Sequence, residues 1–353
     1  MRRLSRHVGI TVLFSILTVL LVVVSLDVMS AIIDGVGDIK GDFSFAEVVV
    51  YVLTTLPGRL YQNIPFAALI GCLIGLGSLA SNSELVVMRA SGVSLLRIVS
   101  FVLKPVIAFI VVGVLLGEFA VPYTDQLAEG RKALLQGRQD NMASASGLWN
   151  REGQEFVHVN VILPNGQLYG VFRYRFDDQR EVEQVSFAER ASYHDSYWQE
   201  SDVVTTRFED DRAVTEQTSS RRWYSGLSPD LLRLVLMEPE SLPIIDLFHY
   251  ANYLQDQGQS AGKHWLAFWG KLLQPLTTVG LVLIAVSFVF GPLREATMGF
   301  RIFAGVVVGI VFSTSQQMLG PASLVYGFSP LWAVLVPIAV SVVIGALLLR
   351  RAA

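Results

Sequence analysis

Six stretches of the chain stay apolar long enough to cross a bilayer. A helix rises about 1.5 Å per residue, so roughly 20 apolar residues span the hydrocarbon core. The runs 8–33, 58–80, 98–122, 265–290, 300–320 and 331–349 meet that length. Residues 43–56 are also apolar, but Pro57 and Pro65 each remove a backbone donor and favour kinks. That piece is expected to lie along the outer interface.

The pattern changes at Gln126. Val157, Val159, Val161 and Leu163 alternate up to the turn Pro164-Asn165-Gly166, and Leu168, Phe172, Tyr174 and Phe176 alternate up to Asp177-Asp178. Val185 to Tyr193, Tyr197 to Thr206 and Ala213 to Thr218 read as further strands. Turn signals every 8 to 12 residues predict a sandwich or jelly roll of roughly 100 residues. Ser241 to Gln257 then reads as an amphipathic helix, with Ile244, Ile245, Leu247, Phe248, Tyr250 and Leu254 on its apolar face. The expected fold class is an α-helical membrane protein with six transmembrane helices and one inserted β domain. Residues 1–125 carry spans one to three, 126–262 the β domain with its amphipathic helix, and 263–353 spans four to six.

Composition agrees. Of 353 residues, 52% are hydrophobic and 16% charged, against about a quarter charged in soluble domains. A formal net charge of -3 lacks the basic footprint that nucleic-acid binding requires, so no nucleic-acid partner is expected. The first apolar run follows Arg2, Arg3 and Arg6. It exceeds the roughly 7 to 15 residues of a signal-peptide core and has no A-x-A site, so it reads as a retained helix. The single cysteine, Cys72, lies within an apolar run and reads as a small core residue.

Charge also predicts orientation. Arg2, Arg3 and Arg6, then Arg89 and Arg97, then Arg294 and Arg301, then Arg350 and Arg351 cluster at one set of span ends, while the opposite short loops offer only Lys40. Lysine and arginine in short flanks favour the cytoplasm, which puts both termini there and the β insert on the far side.

Catalytic chemistry is missing from the pattern. The chain has no G-x-x-x-x-G-K-[ST] phosphate loop, no H-E-x-x-H and no G-x-S-x-G elbow. His7, His158, His194, His249 and His264 show no metal-ligand spacing. No catalytic residue, cofactor site or metal site is expected, and energy must come from another polypeptide or an ion gradient. The central thirds of the spans hold no acidic residue, which weakens an ion path. Asp27, Glu118, Gln316 and Gln317 lie toward the outer ends, where capping or water contact explains them.

Two features stand out. Between spans two and three, Ser81 and Glu84 have capping-box spacing, Gly92 suits the left-handed end of a helix and Ser94 can cap the next. The result is a short surface helix at about 81–92 whose Leu85, Val86, Val87 and Met88 cover more than one face. It either floats in the interface or is a peg for a cytoplasmic partner. At the outer side stand Lys40, Arg59, Arg131 and Lys132. They either snorkel to headgroups or pair with phosphates of an anionic lipid.

The string Ser83 to Gly92 (SELVVMRASG), within this topology, resembles the lipopolysaccharide-export permeases of the YjgP/YjgQ (LptF/LptG) family, and the LptG branch more than the LptF branch. Supporting strings are Pro65-Phe66-Ala67-Ala68-Leu69, Lys271-Leu272-Leu273-Gln274-Pro275-Leu276, Phe290-Gly291-Pro292-Leu293-Arg294 and Leu324-Val325-Tyr326-Gly327. The resemblance implies a permease subunit in the inner membrane, paired with an LptF-like permease and driven by an LptB-like ATPase dimer that alone binds ATP. It also implies an LptC-like single-helix protein and an LptA-like periplasmic bridge. The insert would be the family's periplasmic β-jelly roll. The short helix would dock on the ATPase through Glu84, Leu85, Met88 and Arg89. Lys40, Arg59, Arg131 and Lys132 would contact lipopolysaccharide at the rim of a cavity, although the first span ends with Lys40 among Asp34, Asp38 and Asp42 where the family is lysine-rich.

Two other classes fit parts of the pattern. A lipoprotein-release type extruder also needs a partner ATPase, but has four spans with the insert after the first. A membrane enzyme acting on lipid or glycan would show clustered acidic residues on one loop surface.

Overall fold

The computed structural model describes residues 2–137, 148–152, 154–163, 166–177, 181–194, 196–209, 212–226, 237–256, 260–291 and 296–352. Among them, six helices are long and apolar enough to cross a membrane: Arg2–Val36, Leu56–Ser81, Leu95–Gln136, Gly262–Phe290, Met298–Tyr326 and Pro330–Arg351. Each contains one of the expected spans. The described chain divides into two compact units.

The helical unit comprises residues 1–30, 56–121 and 243–353. Its core lies along the second span, where Leu69, Cys72, Leu73 and Leu76 are fully buried beside Val12 and Ile16 of the first. Small residues set the spacing. A Cβ on Gly71 would stand 2.6 Å from the Cα of Ile16, and one on Gly305 would stand 2.5 Å from a methyl of Leu73. Helices in lipid gain no hydrophobic drive from meeting each other, so close backbone approach through glycine supplies the packing.

The third span departs from the expected boundary at 122. Its α-helix Leu95–Leu115 widens into a π-turn, Leu116–Ala120, and resumes as Val121–Gly137. Pro122 has no N–H to donate, and the wide turn immediately before it accommodates the missing bond. Arg131 and Lys132 therefore lie within a helix and not beyond one.

The second unit comprises residues 31–55 and 122–242. It holds the short helix Phe45–Thr54 in the 43–56 piece and a six-stranded antiparallel sheet in sequential order. The strands are β1 (Leu148–Glu152), β2 (Glu155–Ile162), β3 (Leu168–Phe176), β4 (Val182–His194), β5 (Tyr197–Glu209) and β6 (Arg212–Trp223). Five overlap the expected strands, with β2 stopping one residue before Leu163. The pattern missed β1, whose Trp149 is exposed. Of the expected jelly roll, the described strands supply one six-stranded layer. The expected turn at Pro164-Asn165 and residue Asp178 lie outside the described residues, as do Gln257 and Pro292, Leu293 and Arg294 of the fourth family string.

Sheet burial corrects one periodicity. Leu168 is buried, but the inner face then passes to Val171 and Arg173, leaving Phe172, Tyr174 and Phe176 only half-buried. Gly170 has φ +64° and Asp202 has φ +54°. The β3–β4 register passes from Tyr169↔Arg190 to Val171↔Ala188, and the β4–β5 register from Ala188↔Val203 to Arg190↔Ser201. Gly170, Glu189 and Asp202 thus form a row crossing three strands, at which the face of each strand that is buried switches.

That inner face carries a charge network. Glu200 is fully buried; it accepts from Arg173 Nη1 at 3.2 Å and from Arg221 Nε at 2.7 Å. Arg173 also reaches Glu155 at 2.8 Å and lies 5.0 Å from the Trp223 ring. A buried carboxylate needs such partners, since desolvation alone disfavours its charge. Removing Glu200 takes one carboxylate from two arginines that keep Glu155, Thr205 and Ser186: Glu200→Ala should cost about 1–3 kcal/mol, and Glu200→Gln less because its amide keeps an acceptor. Thermal unfolding followed through Trp198 and Trp223 fluorescence checks the order, and equal losses would mean the charge is irrelevant.

Candidate functional site

The helix between the second and third spans is Glu84–Ala90. The capping box is corrected: Ser83 occupies the N-cap and makes no side-chain cap bond, while the Ser81 hydroxyl donates back to the Ser78 carbonyl. Glu84 turns to the first span instead. Its Oε2 lies 2.8 Å from Nε2 of His7 at the start of the first span. The helix does end at Gly92, with φ +83° and Val93 N–H donating to the Met88 carbonyl. Ser94 occupies the next N-cap, without a side-chain bond.

The four apolar residues divide two and two. Leu85 and Met88 are 4% and 5% exposed within the helical core; Val86 and Val87 are 57% and 62% exposed. Leu85 and Met88 therefore seat the helix on its own protein. The outward surface is Val86 and Val87, with Arg89 in the last turn.

The four outer cations are distributed over both units. Arg59, in the helical unit, donates from Nη1 to Asp27 Oδ2 at 2.9 Å. Asp27 thus pairs with a cation, where capping or water contact was expected. Glu118 fulfils the capping expectation by accepting from the Ile244 N–H at 3.0 Å, at the start of the amphipathic helix Ile244–Asp256.

Lys40, Arg131 and Lys132 belong to the second unit. Arg131 grips Glu47 with two parallel bonds of 2.8 Å. Lys132 donates to Asp38 Oδ2 at 2.8 Å and lies 5.1 Å from the Tyr51 ring. The turn carrying Asp38 and Lys40 is fastened to the same helix by one backbone bond and one from a glutamine side chain. Asp42 N–H donates to the Leu135 carbonyl at 3.1 Å, and the Gln136 amide donates to the Asp38 carbonyl at 2.7 Å. Lys40 is exposed on that turn.

Sequence reasoning missed His7, Asp38 and Glu47, which meet Glu84, Lys132 and Arg131 across 77, 94 and 84 residues. No local spacing signals contacts at such separations. It also missed two buried cations. Lys271 donates to the Gly117 carbonyl at 3.2 Å, where the π-turn presents it, and Arg301 donates to the Gly77 carbonyl at 2.9 Å. Arg301, by its position a flanking charge, is 4% exposed.

Three spans, a β insert and three further spans define a multi-pass membrane protein with one inserted β domain. A family model described as "Lipopolysaccharide export system permease LptF/LptG" matches residues 6–351, and the chain belongs to that family. It is 34% identical over 355 residues to the lipopolysaccharide export system permease protein LptG of Escherichia coli strain K12, covering 99% of this chain and 98% of that protein. To LptG of Haemophilus influenzae it is 32% identical over 337 residues, with 95% and 94% covered. The family and the six spans make it a multi-pass inner-membrane protein of a lipopolysaccharide export system.

The Asp27–Arg59 pair gives a direct separation of structure from binding. Asp27→Asn and Arg59→Gln should each destabilise the helical unit, with a coupling of roughly 0.5–3 kcal/mol in a double-mutant cycle. Exchanging the two, Asp27→Arg with Arg59→Asp, should restore detergent-solubilised thermal stability. A swap as unstable as either single change would mean that the pair contributes no charge attraction.

Proposed function

We propose that this chain is the LptG-type transmembrane permease subunit of an ATP-driven lipopolysaccharide exporter, a transport subunit with no ATPase site of its own. The observation that carries this reading is the family match over residues 6–351 together with near-complete coverage of LptG relatives. The partners follow from the family: an LptF-like permease, an LptB-like ATPase dimer, an LptC-like helix and an LptA-like bridge. Both termini face the cytoplasm and the β domain faces the periplasm, a reading supported by the arginine-rich span ends.

A lipid with several acyl chains loses about 0.8 kcal/mol for every CH₂ returned to water, so a passive cavity cannot release it. Closure of the ATPase dimer supplies the push by moving the Glu84 helix. Support comes from that helix's two faces. Leu85 and Met88 bind it to the core, and Glu84 fastens it to the first span through His7. Val86 and Val87 remain on the outside for a groove on the ATPase. Displacement of the helix is then passed to the first span, which lines the cavity with the fifth span of the paired subunit. Lipopolysaccharide is narrowed out of that cavity and handed to the bridge. The insert's place after the third of six spans disfavours the four-span lipoprotein-release arrangement.

Glu84→Ala in the complete reconstituted complex should lower export by at least about tenfold, the scale of losing a charge contact at an interface. Membrane insertion should be intact. Export per ATP hydrolysed, measured in proteoliposomes, is the test, and wild-type export would remove Glu84 from coupling.

A further inference from the structure

We infer that Asp38 and Glu47 are place-holding anions, which occupy Lys132 and Arg131 when no lipid is bound and are exchanged for the phosphates of the lipid headgroup when it arrives. This rests on the proposed function, a permease subunit for lipopolysaccharide, and on taking Arg131 and Lys132 as the contacts for that lipid which the family resemblance implies.

The segment that closes on helix Val121–Gly137 pairs Asp38 with Lys132 and Glu47 with Arg131, and carries Lys40 and Asp42 on the same turn. A phosphate approaching this surface meets at least as many carboxylates as cations. It cannot simply add to a free cationic ring, because two of the three cations already hold a carboxylate.

The Arg131–Glu47 geometry is the fork-to-fork arrangement that arginine also forms with phosphate, so one anion can replace the other without moving the guanidinium. Both pairs are open to solvent on one side, with Arg131 55% and Asp38 53% exposed as side chains. A pair in that setting is worth about 0.2–1 kcal/mol, which a doubly charged phosphate can outbid.

Exchange does not dismantle the unit. The turn remains held by the Asp42 N–H to Leu135 carbonyl bond and by Gln136, and Gly41 packs so closely that a Cβ there would stand 2.8 Å from the Leu135 carbonyl. None of these ties uses a cation. Tyr51 stays placed by its hydroxyl bond to Glu129. The same anions then serve release, since their return to Arg131 and Lys132 removes the charge attraction that would hold the lipid at the rim.

The test uses the complete export complex in nanodiscs, with lipopolysaccharide and with lipopolysaccharide stripped of its lipid A phosphates as probes. Glu47→Gln and Asp38→Asn should each raise affinity for the phosphorylated form by roughly 1.5- to 5-fold and slow its off-rate, with no change for the stripped form. The gain should shrink at high salt. Unchanged or weaker binding in both variants, with thermal stability retained, overturns the exchange. Weaker binding abolished by a chelator would replace it with divalent-cation bridging through the carboxylates.

Arg131→Gln and Lys132→Gln are the reference arm. Loss of phosphate-dependent binding there, without a gain in the carboxylate variants, overturns this inference alone. No loss there overturns both it and the reading of these cations as lipid contacts.

Discussion

The cost of an uncompensated charge away from water governs this molecule in both of its units. A cation in the spans persists only beside an acceptor, and each one takes the acceptor its surroundings permit. Arg59 takes Asp27, Lys271 takes the carbonyl of Gly117 and Arg301 takes that of Gly77. The last two depend on glycine as well as on charge. A Cβ on Gly77 would stand 2.9 Å from Arg301 Nη1, and one on Gly117 would stand 2.7 Å from the Tyr61 ring. In the sheet the same constraint gathers Arg173, Glu200 and Arg221 around one fully buried carboxylate. Charges in this chain are therefore fasteners first, and a binding role at the rim has to be built on pairs that already exist.

That view changes how the short helix works. Glu84 offers a carboxylate with two oxygens, one of them engaged by His7. The fastening to the first span and a contact to an outside partner do not compete for the same atom. Leu85 and Met88 provide the stiffness, since displacing the helix without displacing the core would expose both. A seven-residue helix with only two inward residues is a weak element alone. Its anchoring at Glu84 and its Gly92 stop give it defined ends.

The six spans, the inserted strands and the short helix were legible in the sequence because they rest on length and periodicity, which are local. The continuation of the third span to Gly137 was hidden by Pro122, whose usual meaning is a helix end; here a π-turn absorbs it. The burial switch in the sheet was hidden because Asp202 takes a positive φ that its identity only weakly suggests. The site was half legible. Its cations were visible as residue types near the expected boundary. Their partners were not, since Asp27, Asp38 and Glu47 reach them only through tertiary packing and look like ordinary acidic residues of a span end, turn and helix.

Polarity does not tell which side of a span faces protein, and size does. In the fifth span Gly305 and Gly309 abut Leu73 and Phe66 of the second, while Phe300, Phe303, Val306, Val307, Ile310 and Val311 are exposed. Small residues inward and large ones outward reverse the expectation for a water-soluble helix. The buried share falls from 67% in the second span to 22% in the fifth. The second span is thus the fixed spine, and the fifth has a face of large aliphatic and aromatic side chains that only acyl chains or another subunit can cover. A wall of that kind grips a lipid through many weak contacts and no specific one. On the proposed function, discrimination then falls to the headgroup and not to the acyl chains. Transport needs this division, because a tightly specific hydrophobic wall would hold the chains against the push that expels them.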